Sequence, residues 1–174
     1  MITRAQVLRN ARHAGSVVRY HTWKMHQVQT VADHSWNCCR IYFALWGPLP
    51  PEISTHFIWH DTGELVLGDL PFPVKAENPE LKYICDKIEY NAIVDMGGSP
   101  SMLSDRDKVR TKVCDLLDMY ELGMVELQMG NRFGQPIVDD IGHSLELLLR
   151  KLSAEDVVLV RQYVDAMAKG LLCM

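Results

Sequence analysis

Helix-start signals punctuate this chain along its length, and no stretch between them alternates apolar and polar residues long enough for a confident strand. Thr3 can cap a first helix running to about His13 and ended by Gly15. Thr30-Val-Ala-Asp33 has the form of a capping box and opens a second helix, stopped by Gly47-Pro48. Pro51 opens a third, with Ile53, Phe57 and Ile58 on its apolar side, ending around Gly63. Asn78-Pro79 sets a cap before a first-turn proline, after which Leu81, Ile84, Ile88 and Ala92 keep helical spacing up to Gly97-Gly98. Ser104 and Asp107 start the next helix, with Val109, Val113, Leu117, Tyr120, Met124 and Leu127 on one face. Two more are predicted over about Ile137–Leu152 and Ser153–Lys169. The expectation is an all-α fold of about six or seven helices. The one long segment that resists helix is Gly68 to Glu77, with Pro71 and Pro73 inside it. Loops of this sort on a helical scaffold tend to carry binding groups.

With 174 residues, the chain is expected to form one domain over 1–174, large enough to bury a core without disulfides. The formal net charge of -4 argues against a nucleic-acid polymer as partner, since duplex binders show a basic surplus. A small anion remains compatible, because a few local cations suffice to hold one. The cysteines Cys38, Cys39, Cys85, Cys114 and Cys173 are odd in number and show no zinc-knuckle or redox spacing. They read as reduced thiols used mostly as small apolar residues. Thr3 to Arg12 is too polar for a secretory core segment, and no apolar run approaches about 20 residues. The expectation is a cytoplasmic protein with no membrane partner.

Of the seven histidines, His13, His21, His26, His56 and His143 have no fixed partner in sequence. His60-Asp61 differs, although such a pair alone is a weak signal. The neighbourhood strengthens it. In His60-Asp61-Thr-Gly-Glu64, a continuing helix puts His60 and Glu64 on one face and Asp61 about 100° round it. Upstream, His34 sits in the first turns of the second helix. Downstream, Asp115 and Asp118 interrupt an apolar helical pattern, and a carboxylate facing a core needs a partner, for which a metal serves well. The plain alternative is that both face water. That alternative is favoured for Asp118, and the pattern leaves Asp115 undecided.

The run Ala32-Asp-His34-Ser, then His60-Asp61-Thr-Gly-Glu64, then Gly68-Asp69-Leu-Pro-Phe-Pro-Val-Lys75, resembles the HD-domain 5'-deoxynucleotidases. It also resembles the phage-encoded deoxynucleoside triphosphate triphosphohydrolases related to them. The likeness resumes over Lys112 to Asn131, where Cys114-Asp115-Leu-Leu-Asp-Met-Tyr120 resembles the last family motif and puts Asp115, not Asp118, on the metal ligand. The resemblance implies a single HD-domain helical bundle whose metal ligands are His34, His60, Asp61 and Asp115. Two imidazoles and two carboxylates suit a divalent ion of the zinc, manganese or cobalt kind better than calcium or magnesium. Such an ion can activate water and polarise phosphorus. Two carboxylates cancel its charge, so cations are needed for an anionic substrate, and Arg19 and Lys75 are the candidates. Lys75 ends a loop restricted by two prolines, of which Pro73 is expected to lie at the substrate. Glu64 is placed to handle protons without being a ligand. Asp69 resembles the family residue near the sugar hydroxyl. Tyr20 stands where the family usually has tryptophan, at the position lying against the deoxyribose, and Asp33 stands where glutamate is common.

These readings lead to a metal-dependent hydrolase of a small deoxynucleotide. The first expectation is a dATP or dNTP triphosphohydrolase releasing deoxynucleoside and intact triphosphate, for which Arg19 and Lys75 would hold a long anionic chain. Val17-Val-Arg-Tyr-His-Thr22 and the stretch Gln29 to Trp36 also look closer to the small phage enzymes, whose setting would be the host cytoplasm. The alternative is a 5'-deoxynucleotidase acting on monophosphates. From other classes come a non-catalytic metal-binding helical domain, which would need the four ligands but neither Glu64 nor Lys75, and a helical interaction module, which would bind no metal. Relatives of this kind self-associate, so a homo-oligomer is also expected.

Overall fold

The computed structural model describes residues 2–99 and 102–170, with the side chains of Phe72, Pro73 and Ala76 outside that description. In chain order the elements are α1 (Arg4–Ala14), β1 (Val18–Arg19), β2 (Gln29–Thr30), α2 (Val31–Trp46), α3 (Pro51–Trp59), α4 (Glu64–Leu67), α5 (Phe72–Glu77), α6 (Pro79–Asp95), α7 (Asp105–Gln128), α8 (Gly134–Leu149) and α9 (Ala154–Ala168). Among the described residues, seven helices exceed eight residues and α4 and α5 are short, as an all-α reading expects. The only strands described are a two-residue antiparallel pair, Val18 opposite Thr30 and Arg19 opposite Gln29. No described helix is long and apolar enough to cross a membrane.

The caps hold where the sequence put them. Thr3 and Gln6 exchange a full capping box. Asp33 accepts from the Thr30 backbone N–H at 2.9 Å, and the Thr30 hydroxyl accepts from the Asp33 N–H at 3.2 Å. Ser104 and Ser153 cap α7 and α9 through the N–H groups of Asp107 and Asp156. Asn78 differs: its side chain donates to the Val74 carbonyl at 3.0 Å, closing α5 instead of capping α6.

Three expectations are corrected. The third helix does not run on to Gly63. It stops at Trp59, where the Thr62 hydroxyl at 2.8 Å and the Thr62 N–H at 3.2 Å both donate to the Trp59 carbonyl in a tight turn. His60 and Glu64 are therefore joined by a turn and not by one helical face. The loop expected over Gly68 to Glu77 is helical from Phe72 onward. Pro71 stands at its cap and Pro73 in its first turn, where a missing N–H costs nothing. Of the α6 stripe Leu81, Ile84, Ile88 and Ala92, only Ala92 is buried, with Cys85, Ile93 and Met96, while the first three are 38%, 53% and 36% exposed. Toward the start of α6 the buried face turns away from the expected stripe, and the turn after α3 meets α6 at Glu89.

The chain divides into two compact units. One takes 1–23, 28–36 and 51–102; the other takes 24–27, 37–50 and 103–174. In the first, Ala14, Ala92 and Met96 pack together with Trp59 against them. Gly63 meets α6 so closely that an added Cβ would stand 2.6 Å from Cβ and 2.7 Å from Cα of Glu89. In the second, Val113, Leu117, Ile137, Ile141, Leu145 and Val160 are buried. α7 and α8 approach through Gly123 and Gly134, where a Cβ on Gly134 would lie 2.6 Å from the Gly123 carbonyl oxygen. A carboxylate network completes this unit. Glu126, fully buried, accepts from the backbone N–H groups of His26 and Gln27 and from the Asn131 amide. Burial would raise its pKa, and these donors hold it below the ordinary value instead.

Candidate metal centre and active site

The first unit gathers most of the expected residues around one carboxylate oxygen. The Thr30–Asp33 capping box fixes the start of α2, so His34 enters in the first turn and is 1% exposed. His60 and Asp61 come from the turn after α3. His34 Nε2 and His60 Nε2 face each other at 3.2 Å, and Asp61 Oδ2 lies 3.4 Å from the first and 3.5 Å from the second. His60 Nδ1 is 3.2 Å from the Phe57 carbonyl oxygen. A neutral ring donating from Nδ1 to that carbonyl presents Nε2 as an electron pair, the arrangement of metal-binding histidines. Two imidazole nitrogens and a carboxylate oxygen converging within 3.5 Å are a donor set that fits a divalent cation.

The Arg19 guanidinium, buried at the end of β1, donates to Asp61 Oδ2 at 2.5 Å and stands 3.8 Å from Glu64 Oε1. Glu64 opens α4 and is 7% exposed, and its Oε2 is buried with no hydrogen-bond partner among the described residues. Burial first, then the neighbouring Asp61 carboxylate, pushes its pKa from 4.5 up to about 8, against the pull of Arg19. Glu64 can therefore hold a proton near neutral pH.

The remaining candidates are placed differently from one another. Tyr20 takes a left-handed backbone, φ +56°, uncommon for a bulky residue. Its N–H donates to Asp69 Oδ2 at 2.7 Å, so Asp69, expected near a sugar hydroxyl, pins the Tyr20 backbone. Lys75 is paired with Glu89 at 2.7 Å. The Pro73 side chain lies outside the described residues. Asp115 belongs to the second unit, where its Oδ2 is 3.1 Å from the Lys112 ammonium and its Oδ1 is 3.7 Å from Cys38 Sγ. Asp118 does not face water: it is 1% exposed and accepts from the Asn37 amide at 2.8 Å.

Sequence reasoning missed Glu89, Gly63 and Cys38. Nothing local to Glu89 announces a partner fourteen residues back. Cys38 carried a signal, its position one turn after His34.

A helical fold with a buried, cation-ready donor set and a buried proton-holding carboxylate has the parts of a metal-dependent hydrolase. The sequence profile of the family described as 5'-deoxynucleotidase YfbR-like matches residues 11–98, just over half of the chain, and the chain belongs to that family. A 5'-deoxynucleotidase of Pasteurella multocida is 25% identical over 139 residues, 67% of this chain and 71% of that protein. A 5'-deoxynucleotidase of Vibrio cholerae is 36% identical over 70 residues, 35% of this chain and 36% of that one. Among solved structures, an HD phosphohydrolase (DatZ) of cyanophage S-2L, bound to dA and one catalytic Zn2+ ion, superposes with a TM-score of 0.73. It shares 20% identity and covers 97% of this chain and 98% of its own. An HD-domain phosphohydrolase of Listeria innocua gives a TM-score of 0.71 at 16% identity, with 98% and 90% covered. The fold is that of the HD-domain phosphohydrolases.

Proposed function

We propose that the chain hydrolyses the 5'-phosphate of deoxynucleoside monophosphates, with a divalent ion held by His34, His60, Asp61 and, from α7, Asp115. The observation that carries this reading is the convergence of two histidine Nε2 atoms on Asp61 Oδ2, with Arg19 and the buried Glu64 beside them. Held by these residues, a divalent ion would supply Lewis-acid stabilisation of charge on the phosphate. The protein's own groups do the rest. Arg19, anchored on Asp61, brings its positive charge to the phosphate. Water adds to phosphorus as the bond to the 5'-oxygen breaks. Glu64 gives its proton to the departing 5'-oxygen and recovers one from the attacking water. Asp69 holds Tyr20 where the sugar would lie.

Both cations expected to grip a long anionic chain carry a carboxylate partner, Arg19 on Asp61 and Lys75 on Glu89. That supports one phosphate over three, as do the activities named for the Pasteurella and Vibrio relatives. The second reading, release of intact triphosphate from dATP, draws on the dA held by the cyanophage protein and on the likeness of residues 17–22 to the phage enzymes. Phosphorus NMR of products from deoxy- and ribonucleotides at each phosphorylation level separates the two. Orthophosphate from dAMP is expected. Tripolyphosphate from dATP, with nothing released from any monophosphate, replaces the first reading with the second.

A further inference from the structure

Glu89 lies on α6 where the turn carrying His60 and Asp61 packs against that helix. A Cβ added to Gly63 would stand 2.7 Å from the Glu89 Cα, so the backbone of Glu89 is held hard against that turn. Its carboxylate is 2.7 Å from the Lys75 ammonium, and the two side chains are only 16% and 22% exposed. Charges so little exposed are weakly screened by salt. Burial opposes the Lys75 charge, Glu89 favours it most, and Glu64 and Asp61 favour it too, so the pair shares the electrostatic field of the donor set. Asp61 and Glu64 each have a place in the chemistry proposed above. Glu89 has none there, yet it offsets one of the two cations beside the site.

We propose that Glu89 is a specificity-determining residue, whose carboxylate sets the site against substrates carrying more than one phosphate. The inference rests on the monophosphate reading above and names the group that enforces it. A phosphomonoester carries up to about two negative charges, and each further phosphate adds about one. The Coulomb energy between a fixed carboxylate and a ligand grows in proportion to the ligand's charge. Glu89 therefore opposes a triphosphate about twice as strongly as a monophosphate. A purely structural ion pair behaves differently: its loss alters stability and leaves the ranking of nucleotides unchanged.

The test compares KM for dAMP with the inhibition constants of dADP and dATP against dAMP hydrolysis, in the metal-loaded full-length chain at constant free metal. In Glu89→Gln, KM for dAMP should fall by about tenfold. The dATP constant should fall by about a hundredfold, the square expected from twice the charge, with dADP between. The preference for dAMP over dATP then drops by about tenfold. Glu89→Asp, which keeps the charge, should keep the preference. So should Glu80→Gln, which removes a carboxylate from the first turn of α6, about 13.5 Å along the helix and beyond a screening length of about 10 Å at ordinary salt. Equal shifts for all three nucleotides, or none, overturn the inference and leave monophosphate hydrolysis standing. An unaltered chain that does not hydrolyse dAMP ends that reading and the inference with it. Should Glu89→Gln fail to fold, Lys75→Gln decides. Glu89 then faces the site without its cation, and the dATP constant should rise by about tenfold more than KM for dAMP. Equal rises in that variant overturn the inference.

Discussion

The Lys75 ammonium rests 2.7 Å from the Glu89 carboxylate, so the lysine expected to meet a substrate phosphate is already engaged. Burial opposes its charge, yet the hydrogen bond and charge of Glu89 raise its pKa above the ordinary lysine value. A phosphate reaching Lys75 must compete with Glu89. Glu89→Gln keeps the shape and removes the competitor. A charge-assisted contact contributes about 1.5–3 kcal/mol, and about 1.4 kcal/mol is tenfold, so KM for a deoxynucleotide should fall by about tenfold or more. Lys75→Ala in the Glu89→Gln background should cancel the gain. A double-mutant cycle on KM checks this. An unchanged KM in Glu89→Gln would mean that Lys75 does not reach the substrate.

Glu64 makes two testable demands. In the metal-free protein its folded pKa of about 8 lies above the ordinary 4.5. The folded state therefore holds a proton that the unfolded chain releases between those values. The stability this contributes is fully present below pH 4.5 and is lost as pH rises through about 8. Urea midpoints of metal-free protein should fall across that window, and Glu64→Gln should flatten the slope. In the loaded enzyme, the same variant should keep its metal and slow turnover by about 10²–10⁴-fold, the range for a lost general acid or base. Metal loss in Glu64→Gln, read by elemental analysis, would make it a ligand instead.

His34, His60 and Asp61, the proposed ligands from α2 and the turn after α3, stood out in the sequence because each sits in a short ordered motif. Local chemistry also fixed the caps at Thr3, Thr30, Ser104 and Ser153. What the sequence concealed depends on contacts between distant segments. At the end of α3 the Thr62 hydroxyl and N–H both fold back on the Trp59 carbonyl, and helical periodicity says nothing of that. Leu81, Ile84 and Ile88 have good helical spacing, but the face of α6 that becomes buried is the one where Gly63 lets two backbones meet. Asp118 resembles a solvent-facing break in an apolar pattern until the Asn37 amide is found beside it.

Asp115 and Asp118, three residues apart on α7, should separate cleanly. Asp118 is buried on an amide, so Asp118→Ala leaves the half-buried Asn37 amide without that acceptor, at a cost of about 1 kcal/mol. It should lower Tm and leave metal content unchanged. Asp115→Ala should release the metal and abolish activity, with Tm measured in chelator little altered. Elemental analysis beside melting curves gives both readouts. Metal loss in Asp118→Ala with Asp115→Ala silent would show that the last motif is read three residues out of register.

Gly63 tests whether the turn carrying His60 and Asp61 is held by packing or only by its own hydrogen bonds. A methyl group there would meet Cβ, Cα and O of Glu89 at 2.6, 2.7 and 2.9 Å, and two of those three atoms are backbone. Neither side can swing away as a flexible side chain would, so α6 and the turn must separate. Overpacking of this kind costs about 1–3 kcal/mol, and for a chain of this size each kcal/mol lowers Tm by about 2–4 °C. Because the turn shifts, zinc affinity should fall as well. Gly142→Ala is the control. It lies within α8, and its new methyl would meet only a Tyr120 ring carbon at an ordinary 3.6 Å. It should stabilise by about 0.4–1 kcal/mol through lost freedom of the unfolded chain and leave zinc affinity as it was. Calorimetric melting and zinc titration on the two variants check the pair. If Gly63→Ala melts and binds zinc like Gly142→Ala, the close approach to Glu89 is not what holds His60 and Asp61 in place.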